Sequence, residues 1–194
     1  HEHVGQPKPC RLEANGPNER RHEGVHAVVV ELPERYDVLD LASDPSGWPA
    51  RTSEFSIGRY DEDRVGVYTQ SLFEGQRTIH MGIDIGGPGG TPVHAFSEGM
   101  LWCAGCNASE GDYGPTLITL HVLDGVRLWA LYGHLSLDSL VGWSRGHRFS
   151  AGDRLGFIGS ENENGGWPPH LHFQLSLVEP KGCDLRGVVS AAER

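Results

Sequence analysis

The sequence predicts a β-rich domain, dominated by antiparallel pairing and carrying few short helices. Three observations lead there. Glycine and proline are abundant, at 27 and 12 of 194 residues, so the chain turns often. Its apolar residues alternate over short runs and show little helical periodicity. Asp124-Gly125 lies between two alternating runs, 116–122 and 127–134, which is a strong hairpin signal.

Length and charge bound the rest. A chain of 194 residues makes one domain, or one domain with an extension, and can bury a core without disulfides. Asp and Glu outnumber Lys and Arg by 26 to 16, a formal charge of −10. This argues against nucleic acid as a partner. No run approaches the roughly 20 apolar residues of a membrane span, and no signal peptide is visible. The chain begins at His1, which is compatible with removal of an upstream segment.

Residues 1–24 are polar and broken by Pro and Gly, and are expected to form a solvated arm. His1, His3, His22 and His26 lie in or beside it. Residues 25–74 should pack on the core as an extension, because no linker sets them apart. Within them, 26–31 (H-A-V-V-V-E) reads as a first strand and Tyr36–Leu41 as a short second one. Asp44–Trp48 is a turn cluster. Two further strands fit 56–70, around the charged turn Asp61-Glu62-Asp63-Arg64. The core is expected over 75–180. Ile79–Ile85 reads as one strand, followed by the turn G-G-P-G-G. Strands at Pro92–Phe96 and Gly99–Cys103 come next, then a loop over Asn107–Pro115 that carries Tyr113. The hairpin strands follow, with His134 at the end of the second. Leu135–Leu140 suggests a helical turn. A turn at Ala151-Gly152-Asp153 precedes a strand at Leu155–Ile158. The tail 181–194 could end in a short helix. Cys10, Cys103, Cys106 and Cys183 are too sparse for a disulfide scaffold. C-A-G-C (103–106) has no second C-x-x-C and no surrounding βαβ pattern. It reads as two thiols at a strand end, not as zinc ligands.

Two stretches carry the chemistry. In G-W-P-P-H-L-H-F-Q-L (166–175), strand alternation puts His170, His172 and Gln174 on one face and Leu171, Phe173 and Leu175 on the other. In I-H-M-G-I-D-I (79–85), His80, Gly82 and Asp84 share a face, and the glycine leaves open the space between His and Asp. A cation held by His80, Asp84 and one imidazole of H-x-H would have two His and one carboxylate. That is a catalytic type of zinc set, with a position left for water. The remaining His94, His121 and His147 read as structural or surface residues.

Taken together, H-M-G-I-D-I-G-G-P-G-G-T-P-V-H-A (80–95), L-Y-G-H-L-S (131–136), A-G-D-R-L-G-F-I-G-S (151–160) and P-H-L-H-F-Q-L (169–175) resemble the lysostaphin/LytM-type zinc endopeptidases. The likeness runs over roughly residues 75–178, in the family's order and spacing. It implies an antiparallel β-sheet groove of that type, a barrel-sandwich hybrid. It also implies Zn2+ as cofactor, His80, Asp84 and His172 as its ligands, and His134 and His170 as a catalytic histidine pair. The expected activity is hydrolysis of a peptide bond, in peptidoglycan cross-links or other Gly-containing peptides, so the partner is a peptide or muropeptide. Such chemistry needs an activated water and a stabilised oxyanion, and imidazoles titrate in the right range to serve it. The H-E-x-x-H helix of other zinc peptidases is absent.

The chain departs from the family pattern in three places. Gln174 stands where many members have Glu. Pro115 stands where Asn is common. The loop E-N-E-N-G-G-W-P-P is bulkier than the usual Ser/Thr/Gly run, and its Trp167 is either a cleft wall or a hydrophobic anchor. Trp167, Tyr113 and Gln174 are therefore candidates for the substrate groove. The stretches D-Y-G-P-T and N-G-G-W-P-P-H-L-H-F-Q are also similar to the peptidase-like module fused between a phosphotransferase-like domain and a class III aminotransferase. That likeness keeps two alternatives open: a cytoplasmic zinc hydrolase of a small peptide or amide, and a non-catalytic regulatory module. The second is weakened because all five metal and catalytic positions are filled. The compartment and the oligomeric state stay open.

Overall fold

The computed structural model describes residues 26–48 and 51–194. The arm expected over 1–24, with Cys10, lies outside the described residues. In chain order the first strands are β1 (Asp37–Val38), β2 (Ser56–Gly58), β3 (Glu62–Asp63), β4 (Ile79–His80), β5 (Ile83–Gly86) and β6 (Pro92–His94). The longer β7 (Gly99–Asn107), β8 (Gly114–Leu123) and β9 (Val126–Gly133) follow. The last are β10 (Arg148–Phe149), β11 (Arg154–Phe157), β12 (His170–Ser176) and β13 (Val188–Val189). Single 3-10 turns occupy Ser71–Phe73 and Leu137–Leu140, and no α-helix is found among the described residues.

Eight strands form the main sheet in the order β1-β2-β5-β12-β9-β8-β7-β10. All its pairings are antiparallel except β1 with β2. The β8–β9 hairpin turns at Asp124-Gly125, where both residues have positive φ, as the twist of a tight hairpin requires. A two-stranded sheet, β6 with β11, covers one face. Between them lies the larger core, which includes Val93, Leu117, Ala130, Tyr132, Leu135, Ile158 and Leu171, all fully buried. On the opposite face Ile118, Trp129 and Leu131 pack with Tyr113, Cys183 and Leu185. The third sheet, β13-β4-β3, stands beside that second face.

The structure corrects four expectations. Residues 26–31 are not a strand. Ala27 donates to Phe96 O at 2.7 Å and Val29 O accepts from His94 at 2.8 Å, so the segment lies along β6 without forming a ladder. Ile79–Ile85 is not one strand. It breaks at Met81-Gly82, sending β4 into the three-stranded sheet and β5 into the main one, because β4 finds its partners in β3 and β13. The tail does not end in a helix. β13 pairs with β4, and the chain then closes a turn in which Glu193 accepts from Ser190. Finally, Cys103 and Cys183 form a disulfide across 80 residues, while Cys106 is free and exposed. The two residues of C-A-G-C therefore have different fates.

Candidate metal centre

A single row across four strands places the site. Pairing sets Gly58 of β2 opposite Asp84 of β5, Asp84 opposite His172 of β12, and His172 opposite Gly133 of β9. Paired residues share a face, so Asp84 and His172 stand side by side with glycines flanking them. The break at Met81-Gly82 then swings His80 over this row from the neighbouring sheet. Gly82 is needed for the approach: a Cβ there would sit 2.6 Å from Cε1 and Nε2 of His172 and 2.9 Å from Phe173 O.

Three acceptor atoms converge. His80 Nε2 is 3.0 Å from His172 Nδ1, and both lie 3.1 Å from Asp84 Oδ1. Each residue is at most 3% exposed. Ligand atoms on a tetrahedral zinc, about 2.0–2.1 Å from the ion, are separated by roughly 3.3 Å, so this triangle fits a cation of that size. The donor chemistry fits as well, because the tautomers are fixed from behind. His80 Nδ1 is 2.9 Å from Arg59 O, and a carbonyl only accepts, so Nδ1 carries the hydrogen and Nε2 presents its lone pair inward. His172 Nε2 is 3.1 Å from Gln174 Oε1. The amide of Gln174 is held in that orientation because its Nε2 donates to Arg186 O at 3.1 Å. His172 Nδ1 is therefore the free nitrogen. Supporting carbonyls of this kind orient metal-binding imidazoles generally.

The same device sets two more histidines. His170 Nδ1 donates to Pro168 O and His134 Nδ1 donates to Asn164 O, each at 2.7 Å. Their ring centroids are 4.2 Å apart, and His170 Nε2 lies 3.7 Å from Asp84 Oδ1. His134 has φ +60°, a left-handed conformation unusual for a residue with a side chain; it turns the imidazole out of the end of β9 toward the site. Burial pushes the His134 pKa well below its ordinary value, and the neighbouring His170 pushes the same way. Burial likewise takes His170 down to about 4, against the pull of Asp84, and lowers His80. At Asp84 burial acts upward, but the charges beside it, His80 when protonated and Arg64 throughout, hold the carboxyl well below its usual range. Near neutral pH the carboxylate is thus ionised, and His80, His134 and His170 are neutral.

An open cavity of about 100 Å³ leads to these groups. Trp48, Tyr68, Phe73 and Trp167, in contact with one another, line it, and so does Asp184–Val188. Trp167 is a cleft wall and also an anchor: it stacks on Trp48 with centroids 6.3 Å apart, and Trp48 meets the edge of His170 at 4.5 Å. Tyr113 lines the cavity too, its hydroxyl 3.4 Å from His172 Nε2 and bonded to Leu185 O at 3.1 Å. Gln174 is not among the lining residues; it stands behind His172. His121 is fully buried in the core, His94 is half-buried and His147 exposed, and none of the three faces the cavity.

The sequence reading passed over several residues here. Arg64, read as part of a charged turn, is fully buried and bonded to Asp84 Oδ2 at 2.6 Å. Asn164 is also fully buried; its amide ties Trp167 into the loop while its carbonyl holds His134. Trp48 gave no local signal beyond a turn.

The model of peptidase family M23 matches residues 78–182. The chain is similar to the DD-carboxypeptidase/endopeptidase Mpg of Neisseria meningitidis and of Neisseria gonorrhoeae, at 38% identity over 100 residues, 51% of this chain. It spans only 20% of the length of those relatives. Among solved structures it is similar to the catalytic domain of the prophage-encoded M23 protein EnpA from Enterococcus faecalis. There the identity is 27% and the TM-score 0.49, over 71% of this chain and 89% of that one. The catalytic domain of lysostaphin from Staphylococcus simulans gives 28% and 0.44, over 60% and 78%. With more than half of its length matched by the family model, and with that stretch supplying Asp84 and all four histidines of the cavity, the chain belongs to peptidase family M23.

Proposed function

We propose that this chain is a zinc-dependent metallopeptidase that cleaves peptide bonds in peptidoglycan cross-links. One observation carries the reading: four buried histidines each donate a ring N–H to a carbonyl behind them, leaving their other nitrogens free around Asp84. Such a set offers lone pairs and one negative charge to a cation, and no competing proton. In this reading His80 Nε2, Asp84 Oδ1 and His172 Nδ1 hold the zinc. The ion supplies Lewis acidity, acidifying water and polarising a carbonyl. His134 and His170 stay unbound and neutral, the state a general base needs. One takes a proton from the attacking water through Nε2, and the imidazolium so formed returns it to the leaving amine. Their Nδ1–H bonds to Asn164 O and Pro168 O keep both rings aimed during the transfer. We assign this catalytic core to residues 75–180, with the described residues of 25–74 and 181–194 packed around it. The substrate class is supported by the Neisseria relatives, which are named carboxypeptidases and endopeptidases, and by the family resemblance.

Metal content and hydrolysis should separate along the proposed roles. Asp84→Ala and His172→Ala should bind zinc poorly. His134→Ala and His170→Ala should retain it and lose about 10²–10⁴-fold in rate, the usual size of general acid–base catalysis. Elemental analysis beside hydrolysis of a Gly-containing model peptide reads both. Loss of zinc from His170→Ala with retention in His172→Ala would reverse the two assignments. Mass spectrometry of a muropeptide digest tests the substrate, and peptide hydrolysis without muropeptide cleavage would point to the small-peptide alternative.

A further inference from the structure

We propose that Arg64 is a positioning residue of the metal site, holding one oxygen of Asp84 so that the other faces the two ligand imidazoles. This rests on the reading of His80, Asp84 and His172 as zinc ligands. Arg64 lies outside the stretch matched by the family model. It is contributed by the segment just after β3, in the charged run D-E-D-R. A guanidinium that is 0% exposed is costly unless its donors are matched, and here they are. Nη1 donates to Asp84 Oδ2 at 2.6 Å and to Tyr68 Oη at 3.0 Å. Nε donates to Glu62 Oε2 at 2.8 Å, and Nη2 to Arg59 O at 3.2 Å. Glu62 is fixed in turn, its other oxygen accepting from Leu41 N at 3.0 Å. The guanidinium is therefore anchored from three sides and gives one N–H of Nη1 to the fourth.

That fourth side is the carboxylate of the row across the sheet. Oδ2 is taken by Arg64, and Oδ1 is left 3.1 Å from both His80 Nε2 and His172 Nδ1. The backbone makes room for this. A Cβ on Gly58 would stand 2.8 Å from Arg64 Nη2 and 3.2 Å from both Cβ and Oδ2 of Asp84. Gly58 is thus the cradle through which Arg64 reaches its target. Arg59 does double duty, since its carbonyl accepts from Arg64 and from His80 Nδ1. Without that contact, Asp84 could rotate and offer either oxygen or both. With it, only Oδ1 would be left to a cation, and the hydrogen bond on Oδ2 would make Oδ1 a weaker donor. Because Glu62 balances the charge of Arg64, the arrangement adds no net charge to the site.

The test is zinc affinity measured by chelator competition on the full chain. Arg64→Lys keeps the charge but cannot reach all four partners at once. It should lower affinity about 10–100-fold, the usual effect of losing a group that orients a metal ligand, while melting of the metal-free protein shows that the fold is retained. The loss should largely vanish when Asp84 is already Asn, because the coupling runs through that carboxylate. Unchanged affinity overturns the proposal. So does an equal loss in both backgrounds, which would mark Arg64 as a support of the fold alone. If Arg64→Lys does not fold, the unmodified protein decides: its Arg64 guanidinium N–H resonances should shift when zinc is added, and no shift overturns the proposal. A wild-type chain that takes up no zinc, or a His172→Ala variant that binds it as well as wild type, refutes instead the ligand reading beneath.

Discussion

Gln174 decides which nitrogen of His172 is free, and it does so with both ends of one amide. Its oxygen faces His172 Nε2 at 3.1 Å and its nitrogen donates to Arg186 O at 3.1 Å. The Glu common at this position in the family could accept from His172 equally well. Here, however, its second oxygen would face the Arg186 carbonyl with no hydrogen between them. Gln174→Glu should therefore destabilise the protein at neutral pH by about 1–3 kcal/mol, the cost of a buried acceptor without a donor. Protonating the new carboxyl restores a donor toward Arg186, so the penalty should shrink as pH falls. Denaturant midpoints of variant and wild type at pH 7 and pH 5 check this. A pH-independent difference would show that the Arg186 contact does not dictate glutamine here.

At the scale of elements, the β8–β9 hairpin carries a buried titratable group remote from the cavity. His121 sits in the core against Phe96 and Phe149, with ring centroids 4.4 and 5.9 Å away. Its Nδ1 donates to Glu98 O at 2.7 Å, so Nε2 accepts from the Thr119 hydroxyl, also at 2.7 Å. Burial pushes its pKa below the ordinary value, only partly opposed by the Glu98 carbonyl. The unfolded chain, with a His pKa near 6.5, therefore takes up the proton first as pH falls. This contribution to stability is complete above about pH 6.5 and is lost as pH drops toward the folded pKa. His121→Gln should flatten that decline by up to about 1.4 kcal/mol per pH unit. Equal slopes for variant and wild type, by denaturant titration between pH 7 and pH 5, would sink the assignment. The hairpin itself was legible in the sequence, because alternating strands and an Asp-Gly turn are local signals. So was the sharing of a face by His170, His172 and Gln174. The break inside Ile79–Ile85 was not, since the partners of β4 come from residues 62–63 and 188–189. Arg64 was illegible for the same reason: a D-E-D-R run looks solvated until Asp84 and Gly58 are brought against it.

In the whole molecule, segments outside the family match complete the site from both sides. Trp48, Arg64 and Tyr68 reach it from before residue 78, and Asp184–Val188, within the stretch Cys183–Val189, from after residue 182. The second stretch supplies backbone carbonyls: Leu185 O takes the Tyr113 hydroxyl, Arg186 O takes Gln174 Nε2, and Gly187 O takes Met81 N at the bend between β4 and β5. It is anchored at one end by β13 on β4 and at the other by the Cys103–Cys183 disulfide to β7. Cross-linking residues 80 apart restricts the unfolded chain by about 4.5 kcal/mol in the loop-entropy account. Reduction should therefore lower the denaturation midpoint markedly. Beyond stability, it should loosen residues 183–187 more than the β8–β9 hairpin, because apart from the packing of Cys183 and Leu185 their other ties are single hydrogen bonds rather than a ladder. Hydrogen exchange on oxidised and reduced protein reads this directly, with amides of 183–187 gaining exchange while those of 117–121 hold. Zinc retention should fall in parallel, since Arg186 O holds Gln174 and Gln174 holds the His172 tautomer. If reduction changes exchange uniformly, or not at all, the disulfide does not act as the clasp of this wall.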